Sequence, residues 1–138
     1  ALRPTLLASL LAVEERSAKT AYPHRVFEVG EAVVRDDAEN HLSRTEPLLG
    51  ALVAHPEARF SDLHSVLSYL GFYLDVTIEL RPLDRGCFLP GRGAELVLDG
   101  NGVGILGELH PEVLERWGIK MPASYLELRL APIVALQG

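Results

Sequence analysis

Cysteine is nearly missing from these 138 residues, and a single Cys87 cannot close an internal disulfide. That sets the chain apart from small secreted scaffolds that rely on several bridges. No apolar run approaches the ~20 residues needed to cross a bilayer. Nothing at the N-terminus shows the basic, apolar, small-residue order of a signal peptide. Together these lacks predict a soluble chain in a reducing, cytosolic setting, with no membrane partner. Positive charge is short as well: 13 Lys and Arg stand against 19 Asp and Glu, for a net charge of −6. An autonomous nucleic-acid binder needs a basic surface to neutralise phosphates, so DNA is not expected as a partner and any RNA contact should be local or shared. Internal repeats and low-complexity segments are absent too.

What the chain does have is apolar content. The hydrophobic fraction of 48%, with four Phe, four Tyr and one Trp, argues for a packed globule. At this length a single domain over residues 1–138 would bury roughly two-thirds of its unfolded surface. The sequence opens on Ala1 with helix-like residues immediately behind it, which reads as an excised fragment.

Residues 4–16 read as an amphipathic helix, with Leu6, Leu7, Leu10, Leu11 and Val13 on one side and Glu14, Glu15 and Arg16 closing it. Residues 25–34 read as a strand rich in Val and Phe, the polar stretch 35–46 as a solvent loop, and 48–53 as a strand able to pair back. Helical spacing returns at Phe60, Leu63, Val66, Leu67 and Leu70, with Ser61 as N-cap and Gly71 as stop. Residues 73–83 supply another strand, alternating at Val76, Ile78 and Leu80, before a Gly-rich link. Residues 94–98 (AELVL) and 103–109 (VGILGEL) flank Asp99-Gly100-Asn101-Gly102, the chemistry of a tight hairpin turn. His110-Pro111-Glu112 then opens a helix with Val113, Leu114 and Trp117 on its apolar face and Gly118 as its stop, and residues 125–130 close the chain as a strand. The sum is an α+β plan: a mainly antiparallel sheet packed against a few helices.

Several chemical motifs fail on context. Gly102, Gly104 and Gly107 match the dinucleotide fingerprint GxGxxG, and Glu127 follows Gly107 by 20 residues. The fingerprint needs its glycines between a strand and a helix N-terminus, whereas here they fall inside a strand and let neighbouring backbone pack close. Arg92 between Gly91 and Gly93 lacks the Lys-Ser/Thr ending of a P-loop and reads as a turn entering a strand. His24, His41, His55, His64 and His110 have neither HxH nor HExxH spacing, and His55-Pro56-Glu57 reads, like His110-Pro111-Glu112, as turn or helix-entry chemistry. Asp36, Asp37 and Glu39 read as solvated surface rather than a cation site. Cys87 reads as a small, partly buried residue beside Phe88, since a nucleophile would need a histidine base. No catalytic, cofactor-binding or metal-ligating residue is expected in this chain.

Five stretches, in order, carry a family resemblance. LRPTLLASLLAV at 2–13, HRVFEVGEAV at 24–33, FSDLHSVLSYL at 60–70, the run from Phe88 to Ile119 with its PGRGA and GELHPEVL, and YLELRL at 125–130 resemble the C-terminal, catalytic-like part of phenylalanyl-tRNA synthetase β subunits of the archaeal or eukaryotic type. The resemblance implies a class II synthetase fold, an antiparallel sheet flanked by helices. It also implies two signature arginines that grip ATP phosphates in catalytic members, a role that needs positive charge. The first pattern, F-R-x-E, falls on Phe27-Glu28-Val29-Gly30 and places Glu28 at the arginine. The second, G-x-G-x-x-R, falls on residues 127–132 and places Pro132 there, with both glycines replaced by Glu127 and Arg129. Arg25, two residues before Phe27, shares its face and serves packing or an edge if Phe27 is buried. The first class II motif would precede Leu2.

These departures resemble a non-catalytic subunit that supports an α subunit in ATP-dependent charging of tRNA(Phe) with phenylalanine. ATP and Mg then belong to the whole cytoplasmic (αβ)2 complex, and tRNA(Phe) is met through it, with Arg35 and Arg44 in the polar stretch as possible contacts. The alternative is a free-standing synthetase-like paralogue with its own adenylate or acyl-transfer activity, or one that binds another protein.

Overall fold

A computed structural model describes residues 5–16, 24–36, 42–55 and 60–133. The elements run α1 (Leu7–Arg16), β1 (His24–Asp36), β2 (Leu42–Ala54), α2 (Phe60–Leu74), β3 (Glu79–Pro82), β4 (Phe88–Leu98), β5 (Asn101–Leu109), α3 (Pro111–Arg116) and β6 (Ala123–Arg129). The strands form one six-stranded sheet in the order β1-β2-β6-β5-β4-β3, antiparallel at every neighbouring pair. This is the expected element order and fold class.

Alternating side chains give the sheet two apolar faces. On one, Leu10 and Leu11 of α1 and Leu114 of α3 pack with Leu52, Phe88, Ile105 and Tyr125. On the other, Leu63 and Leu67 of α2 pack with Ala51, Val53, Leu106, Leu126 and Leu128. Each fully buried leucine contributes roughly 1.5–3 kcal/mol relative to exposure, so these two layers fix the helices onto the sheet. Gly50 on β2 makes the approach of α1 possible, because a Cβ there would lie 3.1 Å from Leu6 and Leu10 atoms.

The β4–β5 hairpin closes more tightly than the four-residue reading. Leu98 pairs with Asn101, leaving only Asp99 and Gly100 as the loop, at φ 51° and 81°. Positive φ at both positions is the type I′ requirement, which aspartate tolerates and glycine meets freely. β4 also begins at Phe88, so Arg92 lies within a strand and not in a turn before one.

Three expectations are corrected. The stretch 35–46 is strand wherever it is described: β1 runs to Asp36 and β2 starts at Leu42, in register from His24↔Ala54 to Asp36↔Leu42, and residues 37–41 lie outside the described residues. Its polar residues suggested solvent, yet Glu46 is buried because Arg129 on the neighbouring strand pairs with it. Gly71 does not stop α2, which continues to Leu74, and Ser61 sits inside the helix instead of capping it. The stop is a Schellman closure at Asp75, φ 56°, with the Val76 amide donating to the Gly71 carbonyl at 2.9 Å. A Cβ on Gly71 would lie 2.9 Å from the Val76 oxygen, so that glycine admits the returning chain. Residues 73–83 consequently form a strand only at Glu79–Pro82, although Val76, Ile78 and Leu80 do alternate inward onto the α2 layer.

α3 forms as read. His110 is its N-cap, its Nδ1 accepting from the Glu112 amide at 3.1 Å, with Pro111 in the first turn. Gly118 at φ 70° ends it, and the Ile119 amide reaches the Leu114 carbonyl at 2.9 Å.

Candidate functional site

The glycines of the fingerprint pattern all lie in β5, away from any helix N-terminus. A Cβ on Gly104 would fall 2.0 Å from the Glu127 carbonyl oxygen of β6, and one on Gly107 would fall 2.7 Å from the Phe88 ring. Gly104 therefore serves close strand approach, while Gly107 makes room for an aromatic plug. A Cβ on Gly102 meets only the end of the Glu95 side chain. Space that a nucleotide would need is filled by the protein itself.

The two positions of the arginine patterns lie apart, Glu28 on the edge strand β1 and Pro132 beyond the end of the interior strand β6. Glu28 sits on β1 opposite Gly50, half-buried, and lines a groove of about 420 Å³ with Ser9, Leu10, Val13 and Arg16 of α1. Pro132 follows β6 in a short helical turn. Arg129, the arginine on the strand of the second pattern, is taken: its Nε donates to Glu46 Oε1 at 2.5 Å and its Nη2 to Oε2 at 3.1 Å. That carboxylate stabilises the guanidinium's charge and raises its pKa. Phe27 is 54% exposed, so the condition under which Arg25 would serve packing is not met; both point outward from the sheet edge.

Beneath the start of α1 lies a polar network of Thr5, Tyr125 and Glu127. The Tyr125 hydroxyl donates to Glu127 Oε1 at 2.7 Å, and the Thr5 hydroxyl donates to the same oxygen. The Leu7 amide in turn donates to Thr5 Oγ1 at 3.3 Å, so the network satisfies a helix N-terminus while anchoring it to β6. Burial pushes the Tyr125 hydroxyl pKa far up, with the Glu127 charge and hydrogen bond adding to it. At the other end of α1, His24 Nδ1 lies 2.7 and 2.9 Å from the two oxygens of Glu14, both residues buried. Partners 10, 83 and 122 positions apart in sequence carry no local signal of their meeting.

The remaining candidates fall apart in space. Cys87 is half-buried against the layer that contains Phe88, and burial raises its thiol pKa, which disfavours the nucleophilic thiolate. His24 and His110 are held by Glu14 and the α3 cap; His55 lies in the bend after β2, His64 on α2, and His41 outside the described residues. Pro56, Glu57, Asp37 and Glu39 also lie outside them. Arg92 reaches Glu108 at 3.6 Å from an exposed position. Arg35 and Arg44 stand on β1 and β2, in register with Ser43 and Val34. Among the described residues no three of His, Cys, Asp or Glu gather as a metal site, and no helix is long and apolar enough to cross a membrane.

Comparison with known proteins adds a lineage to this geometry. Residues 1–130 match the family described as the phenylalanyl tRNA synthetase beta chain CLM domain. The chain is 37% identical over 132 residues to the phenylalanine–tRNA ligase beta subunit of Thermococcus sibiricus, covering 96% of this chain and 24% of that protein. With the corresponding subunit of Archaeoglobus fulgidus it shares 39% over 130 residues, 94% of this chain and 22% of that one. It thus spans about a quarter of the length of these relatives. A solved pyrrolysyl-tRNA synthetase from Desulfitobacterium hafniense superimposes with a TM-score of 0.80 over 99% of this chain and 50% of its own, at 18% identity. That likeness is one of fold: the class II synthetase sheet with its flanking helices.

Proposed function

Because this chain belongs to the phenylalanyl-tRNA synthetase β-chain CLM-domain family, we propose that residues 1–138 form a single catalytic-like module that does no adenylate chemistry and supports a catalytic α subunit instead. The observation that carries the reading is the loss of free positive charge where ATP phosphates would be gripped. An adenylate site needs cations aimed at the α- and γ-phosphates in a water-poor cleft. Here an acid, Glu28, and an uncharged pyrrolidine ring, Pro132, occupy the two positions, and Arg129 is spent on Glu46. The face under α1 is filled by Tyr125 and Phe88. These residues do not fit ATP and Mg, which belong in this reading to the complex with the α subunit and tRNA(Phe), in the cytoplasm.

The module's contribution is architectural: a rigid sheet that orients the catalytic partner and helps to place the tRNA acceptor arm. Titration calorimetry of the chain with ATP, magnesium and phenylalanine tests the absence of chemistry. No saturable heat is expected for any combination. Stoichiometric ATP binding that phenylalanine tightens would establish the alternative, a synthetase-like enzyme working with different residues.

A further inference from the structure

β1 is the outermost strand of the sheet, thirteen residues long and, among the described residues, paired only to β2. A long strand edge is a template for another strand, and proteins usually blunt it with charged side chains, proline, a bulge or short length; β1 carries charge at Arg25, Glu28 and Glu31 but keeps Phe27 and Val29 exposed between them. β1 has no proline, and its register against β2 runs without a shift. On the face shared with α2 its outward row is Arg25, Phe27, Val29 and Glu31, all exposed, with Phe27 at 54% and Val29 at 65%.

That row is complementary to itself. A twofold axis normal to the sheet pairs two antiparallel copies of β1 and keeps each face with its like, so paired residue numbers must sum to an even value. With the axis at Glu28, Arg25 opposes the second copy's Glu31 and Phe27 opposes its Val29, each twice by symmetry. Moving the axis to Phe27 sets Arg25 against Val29, and moving it to Val29 sets Phe27 against Glu31. Only the Glu28 register matches charge with charge and apolar with apolar. We propose that the chain associates with a second copy of itself through the outer edge of β1 in this register, joining two six-stranded sheets into one. A cost is built in, because the two Glu28 carboxylates oppose each other on the α1 face, where like charges destabilise a strand pair. Arg16, on the same groove, moderates that repulsion. A strand edge buries less than a standard interface, so the dimer is weak and concentration-dependent.

Sedimentation equilibrium of the 138-residue chain from low to high micromolar concentration tests this, with circular dichroism confirming that each variant keeps the fold. The wild type forms dimers as concentration rises. R25E weakens association about tenfold, since two attractive cross-strand pairs become repulsive. E31R does the same, whereas the R25E/E31R double variant returns to within about threefold of wild type. An equimolar mixture of R25E and E31R associates more tightly than either variant alone. E28Q tightens the dimer, which reports the register as well as the strand. A monomer at all concentrations, a dimer indifferent to R25E, or a double variant no better than the singles would each overturn the proposal.

Discussion

Glu14, Glu46 and Glu127 hold segments together from inside the structure, through His24, through Arg129, and through Tyr125 with Thr5. The Glu14–His24, Glu46–Arg129 and Glu127–Thr5 contacts join separate segments and are set by the fold, whereas Tyr125 and Glu127 meet as i, i+2 neighbours on one strand. Tyr125 offers a test with a definite sign. Its hydroxyl is fully buried beside a carboxylate, so the folded state keeps it protonated at pH values where the unfolded chain ionises near ~10. Above that pH the unfolded state binds fewer protons, and stability falls with rising pH by up to ~1.4 kcal/mol per unit. Below it the contribution is fully present. Tyr125→Phe should cost about 2 kcal/mol at neutral pH, through the hydrogen bond lost to Glu127, and should flatten the alkaline slope. Urea midpoints between neutral and strongly alkaline pH measure both. An unchanged slope in the variant would place the alkaline-sensitive group elsewhere.

At the scale of elements, the glycines of β5 make a graded prediction. Gly104→Ala drives a methyl group into the backbone of β6 and should destabilise by about 3 kcal/mol. Gly107→Ala meets the buried Phe88 ring at its Cγ, which turning the ring does not move, so the side chain must shift bodily at a cost of about 2 kcal/mol. Gly102→Ala meets only the mobile end of Glu95 and should stay within ~0.5 kcal/mol. Denaturant unfolding ranks the three. Equal effects would separate these glycines from strand packing. The hairpin, α3 with both its caps, α1 and the closing strand were legible beforehand because their signals are local: a turn dipeptide, a proline at a helix start, a glycine at its end. The first half of β2 was not, because Arg44, Thr45 and Glu46 read as a polar run, and the buried carboxylate of Glu46 finds its partner only in Arg129, 83 positions away. Gly71 misled for a related reason. Its use is a tertiary approach by Val76, and the left-handed residue that ends α2 is Asp75, which sequence propensity ranks below glycine. Of the site, the position of the GxGxxG glycines within a strand could be read; the carboxylate networks could not.

At the scale of the whole molecule, helices pack on both faces of the sheet among the described residues, the leucines of α1 and α2 closing on it with Tyr125 and Phe88, while the outer row of β1 stays exposed. A packed sheet of this kind fits the proposed scaffold, whose contribution would lie in what the outside of the module touches. Association with the α subunit is the direct measure. When the chain is co-expressed with the α subunit and passed through size exclusion at micromolar concentration, a stable complex of the two is the predicted result. Separate elution of a folded chain and a folded α subunit would contradict the scaffold account.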